Sequence, residues 1–184
     1  LFDQIIGVGR SGGTSLTSYV SSGMLDVAFE KASEEIASTD LIVIATPVAQ
    51  TKKILADIYP FLNESSVITD VGSTKSDVMA AAKESLKEKF NQFIGSHPIA
   101  GSEKHGANAA NYQLFENKDI IITPHHNSSN STIDYLRKFW VSLGGRVSNM
   151  TPEIHDEIFS TVSHIPHLLA FGLVNLINNK SNKE

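Results

Sequence analysis

The chain has 184 residues, of which 41% are hydrophobic, enough for one domain with a real core or for one domain and the beginning of another. Its formal charge of −5 argues against nucleic acid as the main partner, since a phosphate-binding surface needs a basic excess. Cysteine is absent, which excludes disulfides, thiolate metal sites and a cysteine nucleophile. We see no signal-peptide pattern, and the longest apolar runs, such as residues 41–45 and 120–122, are too short to span a bilayer. A cytoplasmic protein outside the membrane is therefore predicted.

Short apolar runs alternate with amphipathic segments, which is typical of a buried, mostly parallel sheet flanked by helices. Strands are predicted at residues 4–8, 41–45, 67–71, 93–95, 120–123 and 146–148. Helices are predicted at residues 49–59, 76–89 and 132–143, and a final helical segment runs from about residue 152 to residue 176. The pattern predicts an α/β domain followed by a helical segment.

Three glycines, Gly7, Gly9 and Gly12, follow the first predicted strand and precede a helix start rich in Ser and Thr. In Rossmann-like domains such glycines permit a tight turn, let the backbone approach a pyrophosphate, and allow the helix to pack on the strand. The N-terminus of that helix offers N–H groups to phosphates. A Rossmann-like domain that binds a dinucleotide cofactor is therefore predicted.

The passage after Gly12 departs from this fold, which needs a full helix and then a second strand ending in an acidic residue about 20 residues beyond the glycines. Residues 26–30 offer one interpretation, with Glu30 on the ribose. The helix before such a strand would have barely two turns. The preferred interpretation is therefore a missing segment around residues 16–23.

Two further strand ends carry polar residues at the carboxyl edge of the sheet, where open α/β sheets bind ligands. Thr46 and Pro47 form the first, which is either a cofactor contact or a strand simply stopped by proline. After the next strand, Ser73 offers a hydroxyl to the cleft. Asp70 and Lys75 are interpreted as a solvated pair, with a functional role for Lys75 left open.

His97 is the main candidate for chemistry, because a neutral imidazole can accept a proton from a substrate hydroxyl. Pro98 restricts it to extended conformations and is expected to hold it at the tip of a strand. His125 and His126 are predicted to be exposed loop residues. His164 and His167 share a helical face, and they are interpreted as facing an anionic substrate. A metal site is not expected there, because Pro166 interrupts the turn and no glutamate lies between them.

Several motifs together resemble those of the prephenate/arogenate (cyclohexadienyl) dehydrogenases. They lie at residues 7–16, 40–47, 69–75, 95–106, 114–117 and 122–124, and are completed by His155-Asp156 and residues 163–167. The resemblance extends from residue 23 to residue 174 in the expected order. It implies oxidative decarboxylation of prephenate or arogenate with a nicotinamide cofactor, NAD or NADP, in tyrosine biosynthesis.

The resemblance also implies roles for individual residues. His97 is the catalytic histidine, hydrogen-bonded to the ring hydroxyl of the substrate, and Ser73 assists there. The implied substrate contacts are Ser102, Glu103, His164 and His167. Of these, His167 helps to hold the substrate, Glu103 lies at the mouth of the pocket and His164 is more structural.

The expected domain division is 1–150 for the dinucleotide-binding domain and 151–184 for the first helix of a helical domain that dimerises in this family. A homodimer is expected, formed through a region largely absent from this chain. Two alternatives stay open. One is another NAD(P)-dependent dehydrogenase of the hydroxyacid type, which would favour a lysine where His164 and His167 stand. The other is a dinucleotide-binding module without turnover.

Overall fold

The computed structural model describes residues 2–9, 16–101 and 110–181. The strands are β1 (Ile6–Val8), β2 (Val27–Phe29), β3 (Leu41–Ile44), β4 (Val67–Asp70), β5 (Gly95–Pro98), β6 (Asp119–Thr123) and β7 (Arg146–Asn149). The α-helices are α1 (Leu16–Ser21), α2 (Thr51–Ile58), α3 (Ser76–Leu86), α4 (Asn130–Ser142), α5 (Pro152–Phe159) and α6 (Ile165–Ser181).

The strands pair mostly in parallel. β1 pairs with β2, β3 with β4, and β6 with β7 in this way, whereas β5 runs antiparallel to β6. A parallel bridge between Ile68 and Phe93 connects β4 to the segment that enters β5. The predicted α/β architecture, a mostly parallel sheet flanked by helices, is confirmed.

Apolar residues of these elements form two core clusters. The first joins β3 and β4 to α2 and α3, and the second joins β6 and Ile94, which directly precedes β5, to Leu136 and Trp140 of α4. All four residues of β4 are buried. Val67 and Ile68 are its apolar part, whereas the buried Thr69 and Asp70 have hydrogen-bond partners.

β5 lies further along the chain than predicted. It was expected at residues 93–95 but spans Gly95–Pro98, because Gly95 pairs with Thr123 and Pro98 with Ile120. Proline has no N–H to donate to a neighbouring strand, so Pro98 indicated in the sequence that the strand ends before it. His97 therefore lies inside a strand, opposite Ile121, and not at the tip of one.

A second strand is present where residues 26–30 offered one interpretation, whereas the preferred prediction of a missing segment around residues 16–23 stays a prediction. Gly23 follows α1 with a φ of 73° that turns the chain back toward the sheet. β2 then pairs in parallel with β1, with Val8 opposite Phe29.

The C-terminal segment is helical, as predicted. The hydroxyl of Thr151 caps α5 by accepting the N–H of Ile154, and a π-helical turn, Ser160–His164, joins α5 to α6. α6 carries exposed apolar side chains along its length, among them Leu168, Leu169, Phe171 and Leu173. By length and composition alone the stretch Pro152–Asn178 could cross a membrane, which the short apolar runs did not predict. The core helix of a soluble protein passes the same test.

Candidate active site

The imidazole of His97 contacts two aromatic rings from α5. Its Nδ1 lies 2.8 Å from Nε2 of His155, which makes this a direct hydrogen bond between two imidazoles. Phe159 stacks on His155 with ring centroids 4.6 Å apart and meets His97 edge-on at 5.0 Å. His155 is fully buried, whereas His97 is only half-buried. The candidate catalytic ring is therefore held by α5, and His97 as a residue stays partly exposed.

Asp156 continues this chain of hydrogen bonds. Its Oδ1 lies 2.7 Å from Nδ1 of His155. The same carboxylate accepts the backbone N–H of Lys75 on Oδ1 and that of Ser76 on Oδ2, both at 2.8 Å. These N–H groups belong to the N-terminus of α3, where the helix dipole favours an anion.

The carboxylate of Asp156 is held in its ionised form. Partial burial raises its pKa, but the hydrogen bonds from Ser76, His155 and Lys75 outweigh this effect and lower the pKa to about 2. At neutral pH the negative charge of Asp156 is therefore separated from the ring of His97 only by the imidazole of His155.

A buried ion pair lies beneath the strand that carries His97. Lys75 is fully buried, and its Nζ bonds the carboxylate of Asp70 and also donates to the carbonyl of Ser96 at 2.8 Å. Asp70 accepts the N–H groups of Gly72 and Ser96. Burial raises the pKa of the Asp70 carboxyl and lowers that of the Lys75 ammonium, and their mutual attraction opposes both changes. The interpretation of a solvated pair was wrong.

A second buried network fixes the same strand from its other neighbours. The hydroxyl of Ser96 lies 2.6 Å from that of Thr69 in β4 and accepts the indole N–H of Trp140 in α4 at 3.1 Å. Because backbone and side-chain bonds of Ser96 are both satisfied in the core, the residue that follows it, His97, has little freedom to move.

Ser73 lies in the loop between β4 and α3 and is exposed. Lys75 and Ser76, which follow within the same connection, bind Asp156 through their backbone N–H groups. The structure thus brings the Ser73 loop against α5, the helix whose imidazole contacts His97.

The predicted binding site for the dinucleotide cofactor lies at the carboxyl end of β1. Gly7 is the middle residue of this strand, where a Cβ would come within 2.3 Å of a Leu25 methyl carbon, so its small size serves packing and not the predicted tight turn. Gly9 follows the strand, and its N–H donates to the carbonyl of Phe29. Glu30, directly after β2, is exposed beside this edge.

Thr46 and Pro47 follow β3, the strand paired with β4. Among the residues that the structure describes, Oγ1 of Thr46 is a buried oxygen without a hydrogen-bond partner. A polar group in that condition is costly unless something pairs with it, which fits a polar ligand at this edge of the sheet better than a mere stop by proline.

The remaining predicted residues fall outside what the structure describes. Gly12, Ser102 and Glu103 lie in the gaps between the described ranges. His164 ends the π-helical turn and His167 lies in the first turn of α6, but their side chains are not among those described.

His126 is exposed as predicted, whereas His125 is half-buried and stacks on Phe90 with ring centroids 4.0 Å apart. Burial lowers the pKa of His125.

His155 is the functional candidate to which sequence reasoning gave no role. The adjacent pair His155-Asp156 was visible as a motif, but its partner, His97, lies 58 positions earlier in the chain. A histidine next to an acidic residue at the start of a capped helix is the signal that could have found it.

A mostly parallel α/β arrangement in which Gly9 and Thr46 directly follow two of the strands is typical of a Rossmann-like nucleotide-binding domain. The profile described as "Prephenate dehydrogenase, nucleotide-binding domain" matches residues 3–149, and "Prephenate dehydrogenase, dimerization domain" matches residues 151–184. The chain belongs to the prephenate dehydrogenase family.

Individual relatives agree. Prephenate dehydrogenase of Bacillus subtilis is 33% identical over 97% of this chain and 48% of its own length, and that of Lactococcus lactis is 36% identical over 73% of the chain and 36% of its own length. Prephenate dehydrogenase of Aquifex aeolicus, solved with hydroxyphenyl propionate and NAD+, superimposes with a TM-score of 0.88 at 30% identity, over 97% of this chain and 62% of that one. The chain thus spans about half the length, or less, of these curated relatives.

Proposed function

We propose that this protein oxidatively decarboxylates prephenate or arogenate, transferring a hydride to NAD or NADP, in tyrosine biosynthesis. The observation that carries the proposal is His97: a half-buried imidazole fixed by His155 where the nucleotide-binding domain meets the first helix of the dimerization domain. The family membership supplies the reaction class, and the geometry supplies a group able to perform its proton transfer.

The proposed reaction requires little covalent chemistry from the protein itself. His97 accepts the proton of the ring hydroxyl while the hydride on the same ring carbon leaves for the nicotinamide, whose oxidised ring is the hydride acceptor when bound. Loss of carbon dioxide then leaves its bonding electrons to the ring, the resulting phenolate oxygen takes the proton back from His97, and formation of the aromatic phenol supplies the driving force. The residues around His97 orient the imidazole and exclude water from its buried side, so that most of the catalysis is positioning.

The cofactor contacts that we propose are Gly7, Gly9, Gly12, Thr46 and Pro47. Gly9 at the end of β1 and the unpaired hydroxyl of Thr46 support a ligand along this edge of the sheet. Glu30 joins them, since an acidic residue at the end of the second strand accepts the ribose hydroxyls of NAD and repels the extra phosphate of NADP. NAD is therefore the preferred form in this proposal.

The substrate contacts remain those that the family implies: Ser73 at the ring hydroxyl, with Ser102, Glu103, His164 and His167 around the rest of the molecule. The position of Ser73, in a loop bound to α5 through Asp156, supports its part. We also propose the domain division at residues 150 and 151, a homodimer formed through the helical region, and a location in the cytoplasm.

A matrix of two substrates and two cofactors tests the function. The full-length protein is mixed with prephenate or arogenate and with NAD+ or NADP+, and formation of the reduced nicotinamide is followed by its absorbance. We expect turnover with NAD+ and at least one of the two substrates. Binding of NAD+ without turnover of either substrate would instead support a non-catalytic dinucleotide-binding module.

A further inference from the structure

The geometry points to His155 and Asp156 as positioning residues that select the tautomer of His97 in which Nδ1 carries the proton and Nε2 is the proton acceptor. This inference rests on the proposed function, since it gives His97 the form that a general base requires. Neither residue contacts the reacting atoms in this account; both act through the ring of His97.

The direction of the hydrogen bonds begins at Asp156. Its carboxylate is ionised and can only accept, and it already accepts two backbone N–H groups from the N-terminus of α3. Nδ1 of His155, 2.7 Å from Oδ1, must therefore be the donor of that bond.

The second step follows from the chemistry of a neutral imidazole, which carries one N–H and one acceptor nitrogen. With its proton on Nδ1, His155 presents Nε2 as an acceptor, so that the bond at 2.8 Å is donated by Nδ1 of His97. The proton of the neutral His97 is thereby placed on Nδ1, and its Nε2 lone pair becomes the base.

The surroundings keep this arrangement in place. His155 is fully buried and stacked on Phe159, and β5 holds the backbone of His97 in register with β6. Among the residues that the structure describes, the charged groups near the two rings are Asp156 on α5 and, beneath β5, the buried pair of Asp70 and Lys75. That pair is internally neutral, so Asp156 supplies the net charge that stabilises the imidazolium formed when His97 accepts a proton.

A related arrangement indicates the size of the effect. In the serine protease triad, replacing the carboxylate that orients the catalytic imidazole by an amide lowers kcat by about 10⁴, largely because the wrong tautomer results. Here a second imidazole intervenes between carboxylate and base, so we expect a smaller loss for Asp156→Asn, on the order of 10² in kcat.

The direct test needs no activity. Long-range nitrogen–proton NMR correlations of this chain, labelled at histidine and recorded at about pH 8 where imidazoles are neutral, distinguish the two tautomers of each ring. We expect the Nδ1–H form for both His97 and His155. Finding the Nε2–H form at His97 overturns the inference, even if the protein oxidises prephenate.

Kinetics of Asp156→Asn in the full-length protein supply the second test, with Glu157→Gln as the control that removes a charge from the next, exposed position of the same helix. We expect kcat to fall about 10²-fold with the KM for NAD+ unchanged, and the acid limb of the pH–rate profile to move to lower pH. Unchanged kcat and profile overturn the inference. Correct tautomers in a wild-type protein that oxidises neither substrate would refute the proposed function alone.

Discussion

Lys75 is one partner of a buried ion pair, and its removal is expected to destabilise the fold. Its ammonium is fully buried and bound to the equally buried carboxylate of Asp70. Lys75→Met leaves that carboxylate uncompensated in the core, and removing one partner of a buried pair costs about 3–5 kcal/mol. We therefore expect the free energy of unfolding, measured in urea, to fall by that amount.

The matched control for this prediction is an exposed ion pair of the same type. Lys52 lies 2.7 Å from Glu84, but both side chains are more than half exposed. Exposed pairs contribute at most about 1 kcal/mol, so Lys52→Met is expected to change stability little. Equal losses in the free energy of unfolding of the two variants would show that burial does not make the ion pair of Lys75 more important for stability than an exposed one.

Glu30 carries a prediction about cofactor choice. Glu30 directly follows β2, and Gly9, which directly follows the paired strand β1, donates its N–H to the carbonyl of Phe29. Loss of a hydrogen bond to a charged group costs about 1.5–3 kcal/mol, so Glu30→Gln should raise the Kd for NAD+ at least about tenfold and improve binding of NADP+.

Titration of both cofactors by calorimetry measures this change in Kd. Glu34→Gln, at an exposed position of the following 3₁₀ turn, serves as the charge-matched control and should leave both affinities unchanged. An unaltered ratio of NAD+ to NADP+ affinity in Glu30→Gln would remove this residue from the cofactor site.

At the residue scale the sequence indicates a candidate where a side chain carries its own chemical signature, and it misses contacts whose partners lie far away along the chain. His97 was selected because a neutral imidazole can accept a proton from a substrate hydroxyl, and its role stays a prediction. The burial of Lys75 was missed, since nothing local to Asp70 and Lys75 distinguishes a solvated pair from one covered by α3 and β5. His155 needed the fold to reveal its contact with His97.

At the scale of elements, α5 is attached to α3 by the carboxylate of Asp156. Its pKa of about 2 lies below the ordinary value of 3.8, so the attachment contributes stability above pH 3.8 and loses it as pH falls toward 2. Allowing for solvent screening of a partly exposed group, the contribution is about 1 kcal/mol.

Unfolding of Asp156→Asn and wild type as a function of pH tests this attachment. The wild type should be more stable at neutral pH, and the difference should shrink as the pH falls from about 4 to about 2. A difference that is constant with pH would mean that the charge of Asp156 does not hold the two helices together.

β3 and β6, which contain apolar runs, were predicted within a few residues of their observed bounds. The failures have identifiable causes. β2 is only three residues long, and its pairing with β1 depends on the turn after Gly23. β5 continues through Pro98 because β6 supplies an antiparallel partner, which a pattern read along one segment does not contain.

At the scale of the whole molecule, the exposed apolar surface of α6 predicts association. Leu168 and Phe171 are each about 70% exposed, and such surface is usually covered by another protein element. We expect sedimentation of this chain to show dimers, and the double variant Leu168→Glu with Phe171→Glu to be monomeric. Asn175→Glu, on the same helix, is the charge control, and a monomeric wild type would contradict the prediction.

Turnover by His97→Asn in the full-length protein shows whether the imidazole of His97 is the base for oxidation of the substrate. We expect kcat to fall about 10²-fold to 10⁴-fold while the Kd for NAD+ is preserved. His126→Asn, which alters an exposed loop histidine, should retain wild-type kcat. A His97→Asn variant that oxidises prephenate or arogenate at the wild-type rate would contradict the account.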